Sequence, residues 1–297
     1  MAADFKLDPL SKNVWAITEL DDRNLFPINY LIVGTEKALL IDTGIGFSNI
    51  YLYAKRLGMV GQRPIIVVNT HNHPEQTGGN WRFSTTGKYG LAQRVEALAA
   101  SARNKNYTRL LDSTHQWETK TYKVTRWLAD EEEILLGDER LPENRVQVFW
   151  TPGHTPDSIT LWYDHGGRLF LGDLFQRFED IKFVYEHCNV KQVESSLRKV
   201  LQLIKSQRPR ELRYSSCRSE SDGACWPTFK QFHRFFLSIL AGTHPGTALR
   251  IDDEEGWRFE SRDKSMKVVL SREIFQKLVD ARTQLQKAEQ KNNEHSL

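Results

Sequence analysis

Cysteine is scarce in this 297-residue chain: Cys188, Cys217 and Cys225 are all it has. An odd, sparse set in a chain this long excludes a disulfide framework and points to reduced thiols in a cytosolic setting. Long apolar runs are missing too. None approaches the roughly 20 residues of a membrane-spanning helix, and residues 1–8 lack the basic start and apolar core of a secretory signal. The closing Glu294-His295-Ser296-Leu297 matches neither a prenylation box nor a peroxisomal address. A net charge of +3 argues neither for nor against nucleic acid, and no nucleic-acid partner is expected. Internal repeats and low-complexity linkers are absent. What remains, 39% hydrophobic and 27% charged, is the composition of a soluble globular protein with one large domain or two small ones.

Periodicity organises the chain. Strands are expected at 13–17, 28–33, 38–41 and 65–69, and a helix at 48–57 ending on Gly58. The alanine-rich stretch 91–103 reads as a helix, and 104–129 as a surface insertion that roofs a site. A period of two returns at 134–136, 146–150 and 158–162, and Asp164-His165-Gly166-Gly167 signals a hairpin into 168–171. Residues 192–206 form a helix with Leu197, Val200, Leu201 and Ile204 on one face. A late strand is expected at 211–214, a helix at 228–240, a hairpin at 247–251 and 257–260, and a strand at 267–270. In the final helix, 272–291, Ile274, Leu278, Ala281 and Leu285 make a narrow stripe, suited to docking on the core or pairing with a second copy in a homodimer. Strands alternating with helices suit two packed sheets covered by helices on both outer faces. The expected domains are 1–243 and a hairpin-and-helix extension, 244–297.

The chemistry is concentrated at strand ends. Thr70-His71-Asn72-His73-Pro74-Glu75-Gln76-Thr77-Gly78-Gly79 follows the apolar run Ile65-Ile66-Val67-Val68. Residues i and i+2 of extended chain point to the same side, so His71 and His73 can reach one cation at the strand's end. Thr151-Pro152-Gly153-His154 and Leu171-Gly172-Asp173 each close another strand, and Leu39-Leu40-Ile41-Asp42-Thr43-Gly44 lies upstream. An isolated His-x-His arises by chance; the ordered combination carries the inference.

That ordered set resembles the metallo-β-lactamase superfamily over roughly the first three quarters of the chain. The resemblance implies a four-layer αββα sandwich of α/β class. The family's motif is His-x-His-x-Asp-His, then a His, a bridging Asp and a last His. His71, His73, His154 and Asp173 match it. Glu75 stands where the family has Asp, Gln76 where it has His, and Ser215-Ser216-Cys217 follows the late strand with no histidine. Ser216 aligns with the missing position at least as well as Cys217, which also fits a buried apolar role. One metal position looks intact and the other largely dismantled, so one zinc is expected.

Three imidazoles with an open fourth position make a catalytic rather than a structural zinc arrangement, in which the bound water becomes hydroxide near neutrality. His71, His73, His154 and Asp173 are the candidate ligands, and Asp173 and Glu75 the candidate catalytic carboxylates. By resemblance Asp42 orients the histidine loop. Phe175, Phe178, Phe183 and Tyr185 read as core packing for at least two of them, or as an apolar channel for an acyl chain. Lys205, Arg208, Arg210, Arg213 and Arg218 make a basic cluster that is either a solvated face or a phosphate-holding rim. The chain is also similar to animal metallo-β-lactamase-domain acyl-coenzyme A thioesterases. The leading expectation is a zinc-dependent cytoplasmic hydrolase of ester or thioester bonds acting on a small acyl substrate. The alternative is a catalytically inactive binding or scaffolding protein on the same fold. Nuclease and glyoxalase-type chemistry, which use two metals, are disfavoured.

Overall fold

The computed structural model describes residues 4–84, 94–109, 120–251 and 254–294. Seven strands form the first sheet in chain order: β1 (Phe5–Ser11), β2 (Val14–Glu19), β3 (Ile28–Val33), β4 (Ala38–Ile41), β5 (Ile65–Val68), β6 (Val95–Ser101) and β7 (Arg126–Leu128). The pairing is antiparallel from β1 to β4 and parallel from β4 to β7. β4 and β5 are buried on both faces, which is why they read as unbroken apolar runs. Ile41, Ile66 and Val68 point towards the second sheet, whereas Leu40, Ile65 and Val67 pack with Ile50 and Ala54 of α1 (Ile50–Arg56). Two single turns follow on this side, α2 (Pro74–Thr77) and α3 (Lys105–Thr108).

The second sheet begins with β8 (Glu133–Leu135), β9 (Arg145–Trp150), β10 (Ile159–Tyr163) and β11 (Arg168–Phe170). The chain then leaves it through β12 (Asp180–Phe183) and returns with β13 (Arg213–Ser215) and β14 (Gly223–Ala224), in spatial order β14-β13-β11-β10-β9-β8. Val146, Val148, Ile159, Leu161 and Phe170 meet the first sheet. Leu169 and Tyr214 face outward, onto α4 (Val190–Ser206) and α5 (Cys225–Ala241). Helix, sheet, sheet, helix is the αββα sandwich expected.

β15 (Thr247–Ile251), β16 (Glu254–Glu260) and β17 (Lys267–Ser271) complete a third sheet in which β17 pairs in parallel with β12. Ile274 and Leu278 of α6 (Arg272–Glu294) are buried with α4 and α5 in one cluster, so this part of the helix stripe docks on its own chain. No helix among the described residues is long and apolar enough to cross a membrane.

The helix expected at 91–103 is a correction: 95–101 is strand β6, and 91–93 lie outside the described residues. Alanine's helix propensity loses to position. β6 lies between two parallel neighbours, with Ala97 and Ala99 against the second sheet and Val95 and Leu98 against the α1 layer. Of the expected insertion at 104–129, α3 and β7 are ordered elements and 110–119 lie outside the described residues.

Candidate metal centre

Three strand ends converge. His71 and His73 follow β5, His154 follows β9 and Asp173 follows β11. Pro74 opens α2 immediately after His73, turning the chain away after the second histidine. Gly172 has φ 54°, and a side chain there would come within 2.8 Å of Thr70 Cβ, so glycine is what lets the Asp173 turn approach the histidine loop.

The donor atoms that converge are His71 Nε2, His73 Nδ1, His154 Nε2 and Asp173 Oδ2. His73 Nδ1 lies 3.2 Å from His71 Nε2 and 3.2 Å from His154 Nε2. Asp173 Oδ2 lies 3.1 Å from His154 Nε2 and 3.7 Å from His71 Nε2. A regular tetrahedron of donors about 2.0–2.1 Å from a metal has edges of about 3.3–3.4 Å. Three of these distances are close to that edge, and the four donors as a set lie within 4.8 Å of one another, so the cluster can gather around one divalent cation; the three imidazoles are buried.

Asp42 supports this arrangement from behind. The Thr70 N–H donates to Asp42 Oδ1 at 2.8 Å and the Thr70 hydroxyl to Oδ2 at 2.9 Å. Thr70 Oγ1 also lies 3.1 Å from His71 Nδ1, a contact that orients the ring with Nε2 turned to the cluster. Burial pushes the Asp42 carboxyl up to about 8, against the pull of the Thr70 bonds, with Asp173 adding to the rise. Asp173 goes the other way. Burial would raise its carboxyl, but His154 and His71 beside it, with the Cys217 thiol donating, hold it well below the usual range.

The second half of the family motif is otherwise engaged. The Arg218 guanidinium donates to Glu75 Oε1 at 2.9 Å. Asp173 Oδ1 accepts from Gln176 Nε2 at 2.6 Å and from Cys217 Sγ. Ser216 Oγ is turned to the carbonyls of Arg218 and Glu220, so neither candidate for the missing histidine presents a free donor to a second ion. Burial, reinforced by Asp173, pushes the Cys217 thiol well up and keeps it from becoming a thiolate. Gln76 is buried and its Oε1 has no hydrogen-bond partner among the described residues. The residues present fit one metal and do not fit a second.

The aromatic run divides. Phe175 and Phe183 are wholly buried core residues, Phe178 is exposed, and the Tyr185 ring lies 5.2 Å from that of His73. Tyr185 stacks on His187, which is 3.0 Å from the Tyr107 hydroxyl, so these three rings form one wall of the site. Of the two readings of the basic cluster, the solvated face fits its partners better: Arg210 pairs with Asp164, Arg213 with Asp222, and Arg208 lies over Trp226. Of that cluster, Arg218 reaches the site. Gln176, Thr70 and Tyr107 carried no signal in the sequence, because their roles come from contacts between distant loops.

The human acyl-coenzyme A thioesterase MBLAC2 is 30% identical over 165 residues, 49% of this chain and 57% of that protein. A hydroxyacylglutathione hydrolase of Anaeromyxobacter dehalogenans is 29% identical over 144 residues, 48% of this chain and 44% of its own. The chain thus spans less than two thirds of the length of these curated relatives. Among solved structures, a metallo-β-lactamase from Pontibacter korlensis superposes with a TM-score of 0.56 at 17% identity, covering 78% of this chain and 99% of that one; at that identity the likeness speaks for the fold. The model of the metallo-β-lactamase superfamily matches residues 25–204, a span that holds the histidine loop, His154 and Asp173. By its αββα layers, its converging strand ends and this match over more than half its length, the chain belongs to the metallo-β-lactamase superfamily.

Proposed function

We propose that this chain is a one-metal hydrolase of acyl thioesters, with His71, His73, His154 and Asp173 holding zinc. The observation that carries the reading is the convergence of four donor atoms within 4.8 Å of one another, behind which Asp42 and Thr70 fix one imidazole. The names of the relatives, a thioesterase and a hydroxyacylglutathione hydrolase, support a thioester as substrate class. A zinc ion bound there would supply Lewis acidity towards a carbonyl and bring the pKa of a water towards neutrality.

The chain's own groups do the rest. Asp173, its Oδ2 facing the histidines, would accept a hydrogen bond from the attacking water and set its lone pair towards the acyl carbon. Gln176 and Cys217 hold the other oxygen of Asp173, so the carboxylate cannot rotate away. Tyr185, His187 and Tyr107 wall one side and limit bulk water around the reacting bond. Three free cysteines fit a reducing, cytoplasmic setting.

The test is release of free thiol from a long-chain acyl-coenzyme A by full-length protein of measured zinc content. Hydrolysis should track zinc, stop with chelator, and be lost with the metal in His154→Ala. Fully zinc-loaded protein inert towards thioesters, esters and lactams would reject the reading and favour a non-catalytic binding protein.

A further inference from the structure

Glu75 and Arg218 are far apart in sequence and meet in the fold. Arg218 follows β13 by a few residues, and Glu75 sits in the first turn of α2. Their ion pair at 2.9 Å is largely sheltered, with 15% of the Glu75 side chain and 25% of the Arg218 side chain accessible. Glu75 is the position at which the family motif has an aspartate, next to Gln76 where it has a histidine. The charge of Arg218 also acts on Asp173 and on Cys217, whose thiol contacts Asp173. A positive group is thus bonded to Glu75, the carboxylate a second metal ion would need beside Asp173.

We propose that Arg218 is a built-in cation standing in for a second metal ion, and that its charge, as well as the missing imidazoles, makes this a one-metal centre. The inference rests on the metal-centre reading above. Guanidinium cannot make way by losing a proton, because it stays charged at any pH the fold survives. It satisfies a carboxylate with directional N–H donors, as a metal does with its charge. It has no open coordination position, so it lowers no water pKa. A divalent cation arriving at Glu75 meets a like charge already bonded to its ligand. Replacing Gln76 by histidine then restores an imidazole without restoring a site.

Zinc titration of the full-length chain against a chromophoric chelator, with no substrate present, tests this. Wild type and Gln76→His should each take up one equivalent. Gln76→His combined with Arg218→Gln should take up two, and Gln76→His combined with Arg218→Lys, which keeps the charge, should stay at one. The first equivalent reports that each variant has folded, and Arg218→Ala replaces Arg218→Gln should that variant lose it. Two equivalents in wild type or in Gln76→His would overturn the proposal, as would a single equivalent in the charge-removed double variants. Such a result leaves the hydrolase reading standing, whereas loss of the first equivalent from wild type would strike that reading instead.

Discussion

Asp42 joins backbone, charge and function in one residue. Its φ of 63° lies in the left-handed region, which aspartate and asparagine tolerate better than other residues with a β-carbon. That conformation turns the carboxyl under the histidine loop, where it accepts both Thr70 donors. Burial, opposed by those two bonds and helped by Asp173, lifts its carboxyl from 3.8 to about 8. The folded chain therefore holds this proton more tightly than the unfolded chain. Its contribution to stability is complete below the unfolded value of 3.8 and drains away as pH rises towards about 8. In metal-free protein, Asp42→Asn, which keeps the left-handed preference and removes the titration, should flatten the fall in stability between about pH 5 and pH 9. Urea unfolding of chelator-treated protein across that range is the measurement; parallel slopes for wild type and variant would refute the assignment. At this scale the sequence was legible where chemistry is tied to strand ends. His71, His73, His154 and Asp173 follow apolar runs, so their convergence was foreseeable. Arg218 stood out only as one of a basic cluster, and Gln176 not at all, because loop packing brings both in and no local pattern records their partners.

Elements tell the same story through β6 and the third sheet. The stretch 95–101 looked helical because alanine is a good helix former, and only its place beside β5 makes it a strand. The hairpin and helix at 244–297 were expected to pack on the domain before them or extend from it. β17 pairs in parallel with β12, the strand that follows the Asp173 turn and precedes the wall residues Tyr185 and His187. The sequence placed the strand at 267–270 but none at 180–183, and parallel partners 87 residues apart leave no turn signal. Val268, Val269, Leu270, Ile274 and Leu278 are all buried. At about 1.5–3 kcal/mol for each buried apolar side chain, their loss is on the order of 10 kcal/mol. A typical domain has a total stability of about 5–15 kcal/mol. A chain ending at residue 266 should therefore lack a cooperative unfolding transition and be cleaved rapidly by protease. Leu270→Ala alone should cost about 2–5 kcal/mol and leave the fold intact. A protease-resistant core from the shortened chain, with native near-ultraviolet dichroism, would show the third sheet to be dispensable.

At the scale of the whole molecule, the candidate centre lies across the seam of the sandwich. His71 and His73 come from the end of the first sheet, and His154 and Asp173 from the second. Other bonds cross the same seam: the Ile159 N–H donates to the Thr70 carbonyl at 2.8 Å, and the Tyr30 hydroxyl donates to the Ser216 carbonyl. A cation held by all four side chains would fasten one sheet to the other, and unfolding would have to release it. Binding to the folded state alone stabilises by about 2.7 kcal/mol when free metal exceeds its dissociation constant a hundredfold. In a chain of this size that raises the melting midpoint by about 5 °C. Calorimetry with zinc and with chelator should show one transition moving by this amount. His73→Ala in one sheet and His154→Ala in the other should each abolish most of the shift, because a cation left with three of its four donors binds the folded chain far more weakly at the same free concentration. If His154→Ala responded to zinc as wild type does, His154 would not be a ligand, and the assignment of the four donors to one cation across the seam would be refuted.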